Sequence, residues 1–94
     1  MKELDLLRQE LLSCDTQLVD ILMKRFDVVE KIMALKEKNQ MQILQPEQES
    51  RQKEALDIEL KGNVHQEEIA DIYARVLYNS KKIQGKKLFD YNIV

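Results

Sequence analysis

Apolar residues recur at alternating steps of three and four over the first part of the chain, which is the spacing of one face of a helix. No glycine or proline interrupts residues 2–39, so the pattern predicts one continuous helix over this range. We call this stripe the seam, and nine of its ten positions are apolar. The seam consists of Leu4, Leu7, Leu11, Cys14, Leu18, Ile21, Arg25, Val28, Ile32 and Leu35.

The predicted first helix is too long for one chain to cover. A helix over residues 2–39 would be about 57 Å long at ~1.5 Å per residue. A compact domain of this size has a radius of gyration of only roughly 13 Å. Something else must cover part of the seam, and a second copy of the chain is the simplest candidate.

Two further helices are predicted after the segment "NQMQILQPEQ", which breaks the pattern. Pro46 suits the first turn of a second helix, which runs from about Glu47 to Leu60 and ends at a left-handed cap at Gly62-Asn63. A third helix starts near Gln66 and carries one apolar stripe. The stripe comprises Ile69, Ile72, Tyr73, Val76, Leu77, Ile83 and Leu88. The expected fold is therefore all-α, with three helices in a single domain over residues 1–94.

Composition supports this prediction and excludes several classes of function. Charged residues make up 34% of the chain and aromatic residues 5%, with two glycines and one proline, which is typical of a helical domain. A net charge of −2 does not suggest a nucleic-acid partner, and no apolar run is long enough to cross a membrane. The N-terminus does not resemble a signal peptide, so we expect a cytoplasmic protein in which Cys14 is a small core residue.

Polar residues at apolar positions indicate a binding site. Arg25 and Lys36 are eleven residues apart, which is three turns plus about 20° of rotation, so both point the same way. A cation buried in the seam costs several kcal/mol unless it is paired, and no acidic residue of its own helix lies on its face. Ser80 lies inside the apolar stripe of the third helix, and Gln84 follows one turn later on the same face. These four residues predict a pocket for an anionic ligand.

The alternative for these side chains is structural. Lys and Arg can lay their stems on apolar surface and keep their charged ends in water. Core Ser and Gln are usually satisfied by backbone groups or water. Arg8 lies about 260° around the helix from Arg25, so it cannot easily reach the same pocket within one chain but could reach that of a partner.

These positions resemble those of the all-helical (AroQ-type) chorismate mutases. The order Arg8, Arg25, Lys36, a "P-E-x-E" segment, Ser80 and Gln84 follows the family pattern. The stretch "LRQELLSCDTQLVDILMKR" is similar to the family's "LR..I..ID..L..LL..R". The resemblance covers about residues 4–88.

The resemblance implies an intertwined homodimer in which the long first helix spans both subunits. It implies an isomerase that converts chorismate to prephenate for phenylalanine and tyrosine biosynthesis in the shikimate pathway, with no metal and no cofactor. The implied catalytic residues are Lys36, Gln84, Arg25 and, from the partner subunit, Arg8. The two arginines would bind substrate carboxylates, and the lysine and glutamine would hydrogen-bond to the ether oxygen of the breaking bond.

The second helix departs from the family pattern at two of the implied substrate-binding positions. Gln45 replaces an aspartate and Gln48 replaces an arginine, which removes a helix cap and one cation for the ring carboxylate. Glu49, implied to bind the ring hydroxyl, and Ser80, implied to lie near the ring carboxylate, are present. A shifted register that brings Arg51 into the place of the missing arginine is the less favoured alternative.

Other functions stay open on the sequence. Isochorismate-pyruvate lyases share this scaffold and need the same cations. A non-catalytic module could bind chorismate or dock on another enzyme of the aromatic pathway. A helical dimerisation module with no pocket is the fourth alternative.

Overall fold

The chain forms three helices and no strand in the part that the computed structural model describes, residues 1–41 and 46–92, without the side chains of 46 and 86–92. Helix α1 spans Lys2–Lys38, α2 spans Pro46–Leu60 and α3 spans Gln66–Asn92. The predicted all-α fold with a very long first helix is confirmed. Leu88, predicted on the stripe of α3, lies outside the described side chains.

The helix ends follow from local chemistry. Pro46 is the first residue of α2. Proline lacks a backbone N–H, and this costs nothing in the first turn, where N–H groups have no carbonyl partner within the helix. Gly62 has a φ of 80°, a left-handed conformation that glycine adopts without steric cost and that ends α2. The Asn63 side-chain oxygen then accepts a hydrogen bond from the His65 backbone N–H at 2.8 Å, and this turn leads into α3.

Helix α3 is the element that both α1 and α2 contact. The buried apolar residues are Val29 and Met33 of α1, Leu60 of α2 and Leu77 of α3, and the Met33 side chain is completely buried. The packed part of α1 is its C-terminal half, because every residue from 1 to 21 is exposed. The chain measures 59 × 28 × 18 Å, so the predicted overhang of α1 is confirmed.

The seam is not the face of α1 that the chain itself buries. Its described apolar side chains, Cys14 aside, are 41 to 62% exposed. Val29 and Met33 each follow a seam residue by one position, which is a rotation of about 100° around the helix. Our expectation that Cys14 is a core residue is wrong for the single chain, in which Cys14 is exposed, because α3 does not extend along this part of α1.

Over the described residues, none of the three helices combines the length and apolar character that crossing a bilayer would require.

Candidate active site

Four polar side chains predicted to share a site come together where the C-terminal half of α1 packs against α3. Arg25 and Lys36 extend from α1, and Ser80 and Gln84 from α3. Two hydrogen bonds join them in pairs, from Arg25 to Ser80 and from Lys36 to Gln84. We call these four residues the polar cluster.

Arg25 is held from two sides by α3. Its Nη1 donates a hydrogen bond to Ser80 Oγ at 2.6 Å, and its guanidinium carbon lies 5.7 Å from the centre of the Tyr73 ring. Ser80 is buried, and its hydroxyl donates in turn to the Val76 carbonyl at 2.9 Å. Among the described side chains, no carboxylate forms an ion pair with Arg25. The guanidinium has five N–H donors, so this arrangement suits an anionic ligand.

Lys36 and Gln84 are joined loosely. Lys36 Nζ donates to Gln84 Oε1 at 3.4 Å, and Gln84 Nε2 donates to the Ser80 carbonyl at the same distance. Both bonds are longer than the usual range for N–H···O hydrogen bonds. Both side chains are half-buried, so part of each remains accessible to a ligand.

Arg8 lies outside this cluster in the chain. Its side chain is exposed and its guanidinium is 3.9 Å from the Asp5 carboxylate, within the same helix. The separation of seventeen positions between Arg8 and Arg25 corresponds to about 25 Å along α1. As predicted, one chain does not bring the two arginines together.

Glu49 of α2 faces α3 and is paired with two lysines. Lys81 Nζ of α3 lies 2.5 Å from Glu49 Oε2, and Lys53 Nζ, one turn along α2, lies 3.3 Å from Oε1. The hydrogen bond from Lys81 lowers the pKa of Glu49, and Lys53 adds to this effect while burial opposes it. The Glu49 carboxylate is therefore held in its charged form.

Gln48 and Arg51 of the second helix do not join the site in the single chain. The partly or fully buried face of α2 consists of Glu49, Gln52, Leu56 and Leu60. Gln48 and Arg51 are both exposed, and Arg51 lies about 200° around the helix from Glu49. The structure therefore does not support the shifted register that would bring Arg51 inward. Gln45 lies outside the described residues.

Three residues of this region were not recognised as site residues from the sequence. Tyr73 is on the predicted apolar stripe, seven residues before Ser80, and this spacing could have placed its ring beneath Arg25. Lys53 lies four residues after Glu49, a spacing that favours an ion pair. Lys81 carried no such signal, because its partner belongs to another helix.

An apolar groove lies beside the polar cluster, between the same two helices. It has a volume of about 540 Å³ and shares no lining residue with the cluster. Its apolar lining comes from Leu22 and Phe26 of α1 and from Ile72, Val76 and Ile83 of α3. Leu22 and Phe26 share the helical face of the buried Val29 and Met33, and Leu22 follows directly on the exposed residues 1–21.

Among the described residues, no group of three or more histidine, cysteine, aspartate or glutamate side chains is placed to hold a metal ion. The sequence model of one family, chorismate mutase type II, matches residues 7–85. This range includes Arg8, the polar cluster and Glu49. No curated protein and no solved structure gives a significant match to the chain.

Proposed function

The chain belongs to the chorismate mutase type II family, and from this premise we propose that it converts chorismate to prephenate. The observation that carries the proposal is the convergence of Arg25 and Lys36 with Ser80 and Gln84 at one place between α1 and α3. Chorismate carries two carboxylates and an ether bond that breaks. The cluster offers donors of the kinds that both require.

The rearrangement needs no nucleophile and no proton transfer, so catalysis depends on orientation and electrostatics. The protein must hold a flexible dianion in its reactive conformation. It must also stabilise the negative charge that develops on the ether oxygen with donors that are already in place. In our proposal Arg25 binds one carboxylate through guanidinium N–H groups that Ser80 does not use. Lys36 Nζ and Gln84 Nε2 donate to the ether oxygen.

The second carboxylate is assigned to Arg8 of a second chain in a homodimer. The exposed seam supports this, since an apolar face of this extent marks an interaction surface. In the described part of the chain, the N-terminal half of α1 also has no packing partner, and most helical stability in proteins comes from such packing. We propose that two α1 helices pair antiparallel about a two-fold axis and bring Arg8 of each chain to Arg25 of the other.

The same pairing gives the apolar groove an occupant. With Arg8 opposite Arg25, an antiparallel register sets Leu11 opposite Leu22 and Leu7 opposite Phe26. Leu22 and Phe26 line the groove, and Leu7 and Leu11 are both 62% exposed in the single chain. In our proposal this one register brings Arg8 to the partner's Arg25, fills the groove, and covers the exposed Leu7 and Leu11.

On α2, Glu49 is proposed to bind the ring hydroxyl, because an ionised carboxylate is an acceptor only. Ser80 is proposed to lie near the ring carboxylate. Gln48 is exposed and carries no charge, so we expect weaker binding of the ring carboxylate than an arginine at this position would give. Gln45 is retained as a proposed substrate-binding position.

The test is turnover of chorismate by the purified protein, with Lys36→Ala and the matched variant Lys38→Ala. Lys38 is exposed and two residues further along α1, so its loss removes the same charge outside the cluster. We expect Lys36→Ala to lower kcat/KM by about 10²–10³-fold, as for the loss of one donor to a developing oxyanion. Lys38→Ala should match the unaltered protein.

Isochorismate as a second substrate separates the alternatives. Release of pyruvate from isochorismate, with no prephenate formed from chorismate, would assign the chain to the lyases instead. If neither substrate is consumed while chorismate still binds, the chain is a non-catalytic binding module. Equal activity of Lys36→Ala and Lys38→Ala would refute the role of the cluster.

A further inference from the structure

The pair formed by Glu49 and Lys81 is the only ion pair between helices in the described part of the chain. The other three ion pairs of the described residues each join two residues that are three or four positions apart within one helix. Glu49 is also the less exposed partner, at 22% of its side chain against 51% for Lys81. This contact therefore ties α2 to α3 one residue after Ser80 of the polar cluster.

Lys81 directly follows Ser80, the residue that holds Arg25. One turn of α3 thus contacts both other helices through polar groups: Ser80 binds the guanidinium of α1, and Lys81 binds the carboxylate of α2. Because neighbouring helical residues point about 100° apart, these two side chains reach in different directions from one short segment. The segment therefore links the cation on α1 and the carboxylate on α2.

Helix α2 itself offers little positive charge on this side. Gln48 is neutral and Arg51 lies on the outer face, which leaves Lys53 as the cation of α2 beside Glu49. The charged groups that face Glu49 are therefore Lys53 from its own helix and Lys81 from α3, the helix on which α2 packs.

We propose that Lys81 is a positioning residue, which holds the Glu49 carboxylate charged and directed at the site so that it can accept a hydrogen bond from the substrate ring. The effect on substrate rests on the proposed function. The effect on the ionisation of Glu49 does not rest on the proposed function, and the two effects can be measured separately. Lys81 acts through Glu49 and is not assigned a contact with substrate.

The test compares Lys81→Met and Lys81→Arg with the matched control Lys31→Met. Lys31 forms an exposed ion pair with Asp27 on α1 at 3.1 Å, so its replacement removes a similar pair away from the site. The first readout is the titration of the Glu49 carboxyl carbon by NMR. The second is the pair of constants kcat and KM for chorismate.

The sign of the titration shift follows from the charges. Lys81 stabilises the ionised carboxylate, so Lys81→Met should raise the pKa of Glu49, whereas Lys81→Arg should keep it low and Lys31→Met should not move it. Loss of one hydrogen bond to a charged group predicts a rise in KM of about tenfold for Lys81→Met, with a smaller change in kcat. Lys81→Arg should restore KM to within about threefold, since the charge is kept.

Each outcome decides the proposal. It is overturned if the Glu49 titration in Lys81→Met coincides with that in Lys31→Met, or if the two variants share the same KM. If Lys81→Met loses helicity, Lys81→Arg decides the proposal. In that variant the pKa of Glu49 must stay low and the KM for chorismate must stay close to that of the unaltered protein. If the unaltered protein does not consume chorismate, the proposed function fails, and the titration alone decides whether Lys81 holds Glu49.

Discussion

Arg25 interrupts an apolar stripe because its guanidinium has polar and aromatic partners on another helix. Around α1 it lies about 40° from the buried Val29 and about 60° from the seam residue Val28. It therefore belongs to the border between the face that packs on α3 and the face that the chain leaves uncovered. A charge at this border can be anchored by Ser80 and still meet a ligand or a second chain.

For this residue we predict that Arg25→Leu lowers enzymatic activity but leaves the stability of the protein nearly unchanged. Turnover of chorismate should fall by at least about 10²-fold, because the cation that we propose to bind a substrate carboxylate is lost. The free energy of unfolding should change by less than about 1 kcal/mol, since an apolar residue of similar size often replaces a buried cation without loss. Ser80 would still donate to the Val76 carbonyl, so no buried donor is left unpaired.

Progress curves with chorismate and urea denaturation of the same preparations check this prediction. Arg51→Leu is the matched control, because Arg51 is exposed on the outer face of α2, and its loss should change neither quantity appreciably. Retained turnover in Arg25→Leu would contradict the prediction, and so would an equal loss in Arg51→Leu.

Helix α1 behaves as two elements joined end to end. Its C-terminal half packs on α3 through Val29 and Met33, whereas residues 1–21 are exposed throughout. The only packing between α1 and the rest of the described chain therefore depends on a few apolar side chains. The position of Arg25 and Lys36 depends on the same contacts.

For this element we predict that Met33→Ala lowers the free energy of unfolding by about 2–5 kcal/mol, because it removes a completely buried side chain and leaves a cavity. Met23→Ala is the matched control on the same helix, where the side chain is 65% exposed and the change should stay within about 0.5 kcal/mol. Urea denaturation at one fixed protein concentration measures both, since the stability of a dimer depends on concentration. Equal effects of the two substitutions would show that the packing is not as described.

The whole molecule is elongated, and the apolar seam of α1 is exposed in the described part of the chain. Its radius of gyration is 17.3 Å, against roughly 13 Å for a compact chain of this length. The excess comes from α1, whose exposed half carries both the seam and Arg8. A dimer that covers the seam would at the same time complete the set of cations, so assembly and catalysis are linked in our proposal.

For the proposed dimer we predict that two variants, each inactive alone, regain activity when they form mixed dimers. Arg8→Ala and Arg25→Ala should each lack turnover alone, yet a mixed dimer would contain one site with both arginines, Arg25 from the first variant and Arg8 from the second. Unfolding and refolding an equal mixture should therefore recover about a quarter of the unaltered activity, since half of the dimers are mixed and each has one complete site.

The control for this mixing experiment is each variant refolded alone at the same total concentration, which should stay inactive. Light scattering should give twice the mass of the 11.1 kDa chain. No recovery from a mixture that is dimeric by light scattering would refute an active site shared between subunits.

Much of the fold could be predicted because it depends on short-range rules. The period of the apolar residues and the absence of glycine and proline predicted α1 to within a residue. Pro46 and Gly62 marked the limits of α2. The stripe that includes Ser80 predicted α3. The shared direction of Arg25 and Lys36 also followed from helical geometry, and α3 brings Ser80 and Gln84 to them.

The sequence alone is thus enough for the three helices, for the excess length of α1 and for the candidate residues of the polar cluster, since each depends on spacing along one helix. Three features needed the packed structure: the rotation that turns Val29 and Met33 toward α3 in place of the seam, the outward direction of Arg51, and the pairing of Glu49 with Lys81. All three depend on how one helix is rotated against another. That rotation is the sum of many weak contacts between distant parts of the chain, which no local pattern records.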